Sequence, residues 1–324
     1  MIFFSTIVIV LLCSSCYSKN KMNQIYGEMY VLEEKGEYQK AQELLDSVPK
    51  FNRDWNYYLN YGLCVRNRNP DFWSGISTKY FLKAYNLNPD NFETTYFFAQ
   101  TNRYMGIDNA AYDLFIRAEK LPDCYNYFSL YYELSDTCLK LGKNGEALNF
   151  IQKALDIKST SYLIMMKGIA VARKESRDCL DEYFDMAKAI DDDKTLMNHL
   201  YAKENVLFKK YDKALAVYKD LIKNNPDCSG YFSEAAKIYL IQKRYDLAYE
   251  YLETAYKLNL NDKECLKNLS LYFYCQGDIE KCLDNANTYF KINTVTNVEV
   301  KSVEKYVERF KDDIRLLSGS SGES

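Results

Sequence analysis

A short pattern returns along this 324-residue chain at nearly constant intervals. The segments GEYQKAQELL (36–45), GIDNAAYDLF (106–115), GKNGEALNFI (142–151), KKYDKALAVY (209–218), KRYDLAYEYL (243–252) and GDIEKCLDNA (277–286) each place a small residue sixth. Most of them place a large apolar residue tenth. Units drawn on this pattern start at 22, 58, 92, 128, 161, 195, 229 and 263, a spacing of 33 to 36 residues. A period of this length holds two helices and a turn, and such units bury their apolar faces by stacking on neighbours. Composition agrees with helices. The chain has only 12 Gly and 5 Pro, too few turn residues for a sandwich or barrel, and 48% hydrophobic residues, enough for a sizeable core.

The period and the residues inside it resemble the tetratricopeptide repeat (TPR). At the repeat's position 20 stand Ala41, Ser77, Ala111, Ala147, Leu180, Ala214, Ala248 and Cys282. Position 24 carries Leu45, Phe81, Phe115, Ile151, Phe184, Tyr218, Leu252 and Ala286. Positions 8 and 27 are mostly small, as at Ala99, Gly168, Ala154 and Ala255. Small residues let neighbouring backbones meet, and the large residue fills the gap beside them. Gly36, Gly106, Gly142 and Gly277 fall between the helices of a unit, and Pro89 and Pro226 fall between units. The resemblance implies an all-α fold: a right-handed superhelical solenoid of about eight helix-turn-helix units over 22–294.

Two units depart from the pattern. In the unit at 58, Pro70 lies where the first helix should finish, so a shortened helix or a longer turn is expected there. In the unit at 263, Ala286 and Tyr289 exchange the usual large and small residues. Beyond the repeats, Val303, Tyr306, Val307, Phe310, Ile314 and Leu317 share one helical face, which predicts a C-terminal capping helix over 295–317. The Ser- and Gly-rich tail 318–324 is expected to be disordered.

The chain begins MIFFSTIVIVLLCSSCYSKN. The apolar run from Ile2 to Leu12 is far short of the roughly 20 residues that span a bilayer, and it fits the apolar region of a signal peptide. No Lys or Arg precedes it. Ser14 and Ser15 before Cys16 resemble a bacterial lipobox, of the type found in Bacteroidetes lipoproteins. That resemblance implies a signal peptide over 1–15, a diacylated Cys16 and a short tether over 16–21. Cys13 departs from it, since an aliphatic residue is usual there. An ordinary cleaved signal and an uncleaved anchor are the other readings. By the sorting rules of such lipoproteins, the absence of Asp after Cys16 and of an acidic cluster implies the periplasmic face of the outer membrane.

The rest of the chain offers little chemistry. The net charge is -3, which gives no footprint for nucleic acid. There is one histidine, His199, so no histidine-based triad or zinc site can be assembled from it. No phosphate-binding glycine loop or nucleophile elbow is present, and the run Asp191–Asp192–Asp193–Lys194 lacks the spacing of a calcium loop. No enzyme activity, cofactor or metal is expected. Beyond the leader the cysteines form no CxxC pair; Cys138 and Cys282 read as small core residues, and a bridge among Cys265, Cys275 and Cys282 is left open.

TPR arrays bind partners on the inner surface lined by the first helix of each unit, through positions 2, 5, 9 and 12. On this chain the resemblance implies a partner-binding groove of Tyr96, Gln100, Arg103, Tyr132, Asp136, Lys203 and Lys237. The carboxylate clamp of chaperone-binding TPR domains is not present, because Tyr96, Gln100, His199 and Lys203 do not supply its Lys and Asn set. The expected function is a membrane-tethered scaffold or adaptor that holds a protein or peptide in the cell envelope. The alternative is a ligand-binding or sensory lipoprotein that recognises a glycan, a cell-wall fragment or a small amphiphile on an aromatic groove.

Overall fold

The computed structural model describes residues 20–68, 75–122, 124, 127–190, 193–293 and 300–318. The leader with Cys13 and Cys16, the tether up to residue 19, Pro70, Asp191 and Asp192, and the tail from 319 lie outside these residues. The described residues are helical, with no strand among them. The chain divides into two compact units, Met1–Gly142 and Lys143–Ser324.

Unit 1 contains α1 (20–34), α2 (Tyr38–Asp46), α3 (Trp55–Arg68), α4 (Gly75–Leu87), α5 (Phe92–Tyr104), α6 (Asp108–Glu119) and α7 (Phe128–Lys140). The helices run as antiparallel pairs, and each pair packs on the next. The first helix of the unit at 58 is not shortened. It starts early, at Trp55, behind Asp54, whose carboxylate accepts from the Tyr57 amide at 2.9 Å, and it runs for 14 residues. Pro70 falls beyond its last described residue, Arg68. Between pairs, the Asn91 side chain caps α5 by accepting from the Thr94 amide at 3.0 Å. The hydroxyls of Thr94 and Thr95 donate back to the carbonyls of Asn88 and Pro89 at 2.6 and 3.0 Å, which fixes the junction.

Unit 2 contains α8 (Asn144–Ile157), α9 (Ser161–Glu175), α10 (Leu180–Lys188), α11 (Thr195–Leu207), α12 (Tyr211–Asn224), α13 (Ser229–Ile241), α14 (Tyr245–Leu258), α15 (Lys263–Gln276), α16 (Ile279–Asn293), α17 (Val303–Arg309) and α18 (Lys311–Ser318). Its strongest polar link between successive pairs is Arg173 of α9, which holds buried Glu204 of α11 through two hydrogen bonds of 2.7 and 2.6 Å.

The packing pattern read from sequence is realised residue by residue. All eight residues at position 20 are fully buried. At position 24, Leu45, Phe81, Phe115, Ile151, Tyr218 and Leu252 are fully buried, while Phe184 is half-buried and stacks on Tyr201 at 3.8 Å. The tightest approach is at Gly168, where an added Cβ would lie 2.4 Å from the Cβ of Tyr183. Where the joining turn of a pair is described it passes through a left-handed residue, and a bond then runs from the next amide to the carbonyl five residues back, as in Glu37 to Leu32 and Lys210 to Asn205.

The terminal cap differs from the single helix expected over 295–317. The described part is two short helices, α17 and α18, separated at Phe310, whose φ of -108° and ψ of 19° leave the helical region. Residues 294–299 lie outside the described set. Asn287 of α16 brackets Val300, donating to its carbonyl at 3.1 Å and accepting from its amide at 2.6 Å. Tyr306 and Phe310 then bury their rings against the eighth pair, with Phe310 at 5.9 Å from Tyr289 and 5.6 Å from Phe290. These rings cover the place where the small Ala286 replaces the usual large residue. Cys265, Cys275 and Cys282 are free thiols, and burial pushes the Cys282 thiol up to about 11.

Candidate functional site

In unit 1 the first helices of successive pairs, α3, α5 and α7, place a polar network on their shared face. Gln100 donates from Nε2 to the Tyr96 hydroxyl at 2.8 Å and to Glu133 Oε1 at 3.0 Å. Arg103 holds Glu133 Oε2 from Nε at 2.6 Å and also pairs through Nη1 with Asp136. Lys140 adds a contact to Asp136 at 3.2 Å. Burial raises the Glu133 carboxyl above its ordinary value, and the Arg103 guanidinium and the Gln100 amide oppose that rise without cancelling it. The network therefore staples α5 to α7 and orders five polar side chains on one surface.

The structure brings Gln100, Arg103 and Asp136 together in this network. It corrects Tyr96. That ring is only 2% exposed, packed among Phe92, Phe97, Phe115 and Tyr127 at 5.1 to 5.9 Å, so it is core rather than contact surface. Its depth follows from the aromatic side chains around it, which sequence position does not reveal. Tyr132 is half-buried beside Phe128. The exposed aromatics on first helices of this unit are Tyr30, at 52% and also at position 9 of its repeat, and Tyr104 at the end of α5, at 46%. Arg66 lies 5.1 Å over the Phe97 ring, and burial lowers its pKa.

In unit 2 the same helix face, formed by α11, α13 and α15, carries Lys203, Lys237 and Lys267 together with Glu234 and Glu264. Lys203 is 60% exposed and 3.9 Å from Glu234. Lys237 is not open groove: its ammonium lies 3.7 Å from Asp313 of α18. Lys267, only 14% exposed, contacts Glu264 at 3.0 Å and the same Asp313 oxygen at 3.7 Å. Burial disfavours the Lys267 cation, but Glu264 and Asp313 outweigh it and its pKa is raised. Burial likewise disfavours the Glu264 carboxylate, but Lys267, Lys237 and Lys203 hold its pKa below the ordinary value. His199 is half-buried with its ring 5.8 Å from those of Tyr218 and Tyr231, and burial lowers its pKa. Among the described residues no three His, Cys, Asp or Glu side chains gather to hold a metal ion.

Lys267 and Asp313 are the residues that motif positions alone did not single out. A position-5 lysine was visible in the sequence, but its partner comes from a terminal helix whose docking site no periodicity specifies.

A family model described as tetratricopeptide repeat matches residues 128–161 and 231–262. Among curated proteins, anaphase-promoting complex subunit 3 of Schizosaccharomyces pombe is 28% identical over 151 residues, 45% of this chain. The aligned part spans 23% of that relative's length. Among solved structures, yeast Tom70 superposes with a TM-score of 0.59 at 16% identity, over 87% of this chain and 59% of its own. A tetratricopeptide repeat protein from Parabacteroides merdae aligns over 91% of this chain and 98% of its own, at 12% identity and a TM-score of 0.46. The repeat's own model thus places tetratricopeptide repeats at residues 128–161 and 231–262 of this chain, within a fold similar to that of Tom70.

Proposed function

We propose that this protein is a scaffold of the bacterial cell envelope, tethered to the outer membrane through lipid on Cys16, that holds a protein or peptide partner on the first-helix surface of its repeats. The TPR fold supports protein–protein interaction, and proteins of this fold generally act as non-enzymatic scaffolds. The observation that carries the proposal is the ordered surface of unit 1. Arg103, Glu133, Gln100 and Asp136 are already locked in one arrangement, so a partner meets preformed polar groups and little side-chain entropy is lost on binding. Tyr30 offers an exposed ring on the same helix set. Partner capture is assigned to these residues, with no catalytic step. Among the described residues no helix is long and apolar enough to cross a membrane, and attachment is assigned to the lipid.

In-cell crosslinking followed by mass spectrometry tests the surface. A Tyr30→Ala, Tyr132→Ala protein is expected to lose the captured partner while its unfolding curve stays nearly unchanged. An unchanged set of crosslinked proteins would overturn the assignment. For the tether, Cys16→Ser is expected to move the protein from membranes to the soluble fraction; normal fractionation would remove the anchor. The glycan or amphiphile reading depended on an aromatic groove, and burial of Tyr96 takes away its central ring.

A further inference from the structure

The C-terminal segment ends on a surface that TPR units otherwise offer to partners. Val300 is bracketed by Asn287, and α17 seals the eighth pair with Tyr306 and Phe310. Beyond Phe310 the chain leaves that seal. α18 lies against α13, the first helix of the seventh pair, and reaches Lys267 on α15, the first helix of the eighth. One face of α18 makes these contacts. Asp313 meets both lysines at 3.7 Å, Leu317 is 9% exposed, and Ile314 is half-buried. Lys311, Asp312 and Arg315 are exposed.

The charges on this surface are complementary only when α18 is present. Lys203, Lys237 and Lys267 face Glu234 and Glu264, and Asp313 supplies the third carboxylate. Without it, the two lysines that share Asp313 are left with one carboxylate contact between them, that of Lys267 to Glu264. We propose that this surface of unit 2 is a binding site for an acidic amphipathic helix, and that α18 is its resident, displaceable occupant. The partner chemistry is written in α18 itself: a carboxylate, an aliphatic residue next to it, and a second aliphatic one turn later, as in Asp313, Ile314 and Leu317. This proposal rests on the scaffold reading and names the partner class for its second surface.

Two features make α18 displaceable. A helix of eight residues does not persist in water without packing, so α18 is held only by what it touches. Its departure uncovers only what Ile314 and Leu317 touch, because Tyr306, Phe310 and the Asn287 bracket all lie before it. A partner competes with a tethered copy of its own motif, so the tether sets a threshold of affinity.

The test uses the full chain and a fluorescein-labelled synthetic peptide of residues 309–318, followed by fluorescence anisotropy. Asp313→Arg repels Lys237 and Lys267 and releases α18. That variant is expected to bind the peptide about tenfold more tightly than the unaltered protein. Adding Lys237→Glu and Lys267→Glu to it is expected to abolish binding. Equal binding by the first two proteins, binding that survives the lysine reversals, or no binding by any of them overturns the proposal. Hydrogen exchange on the unaltered protein needs no variant to fold. The α18 amides are expected to exchange about tenfold faster than those of α17, and equal rates overturn displaceability. Tyr30 and Tyr132 take no part in these measurements. Loss of peptide binding with retained partner capture therefore removes this proposal alone, and the reverse removes the scaffold assignment on unit 1.

Discussion

The turn inside a helix pair passes through Gly36, Gly106 and Gly142 in unit 1, and through Ser176, Lys209, Lys243 and Gly277 in unit 2. All have positive φ, from 51° to 77°, so the same left-handed turn is closed by residues of very different cost. The first-helix surfaces diverge in the same way. In unit 1, Arg103 is sunk between two carboxylates, one of them nearly buried. In unit 2, Lys237 and Lys267, no more exposed than Arg103, share one carboxylate of a terminal helix. The contrast teaches that the repeat is held by its buried residues at position 20, all eight sealed and all but Leu180 small, while turn residue and inner surface are left free to differ.

Six substitutions would break or sharpen that contrast. The largest effect is expected for Arg103→Met, which leaves Glu133 charged, buried and without its guanidinium, at a cost of about 3 kcal/mol in urea unfolding. The matching Lys267→Met in unit 2 is expected to cost less, about 1 kcal/mol, because the Glu264 side chain is 44% exposed and can be rehydrated. Equal losses would erase the distinction between the two surfaces. Next comes Gly168→Ala. Its new methyl would meet the Tyr183 Cβ at 2.4 Å, an atom fixed to the backbone, so α10 must shift; a loss of about 2 kcal/mol is expected by calorimetry. A third measurement replaces the costly turn residues. Lys209→Gly and Lys243→Gly are each expected to stabilise by about 1 kcal/mol, and Gly106→Lys to destabilise by a similar amount. No gain in unit 2 would mean that the lysine side chains themselves contribute to the turn.

The smallest effect is one of pH. Glu133 in unit 1 is raised by burial, whereas Glu264 in unit 2 is lowered by its lysines. The folded state thus holds the Glu133 proton more tightly than the unfolded chain does. Its contribution is full below the unfolded value of about 4.5 and declines as pH rises through the raised folded value. Measured against Glu133→Gln, the unaltered protein is expected to lose under about 1 kcal/mol over that window. A gain with rising pH would show that Arg103 outweighs burial, and that the two carboxylates behave alike.

Much of this fold was legible because its determinants are local and periodic. Ala111, Ala147 and Ala214 mark positions where only small side chains fit, and Phe115 and Ile151 mark the gaps between them. The turns at Gly36 and Gly277 announce a left-handed residue by composition; Lys209 and Lys243 adopt the same angle with nothing in their identity to signal it. The candidate surfaces were only half legible. Position in the repeat gives the face of a helix but not the depth: Gln100, Arg103 and Asp136 share a network on that face, whereas the Tyr96 ring lies in the core. The terminal face from Val303 to Leu317 reads as one helix, since the six apolar residues do keep its spacing. The break at Phe310 arises from docking on two different supports, the eighth pair for α17 and α13 for α18.

Asn287 has a mechanical consequence. By gripping both the amide and the carbonyl of Val300, it fixes the point at which the returning chain rejoins the repeats. Repeat arrays lose structure from their ends, one unit at a time. Here a pull on the C-terminus first peels α18, then must strip two buried rings, and only then reaches the amide bracket that guards α16. Fraying is thus divided into a cheap step and an expensive one, and the eighth pair stays shut through the first.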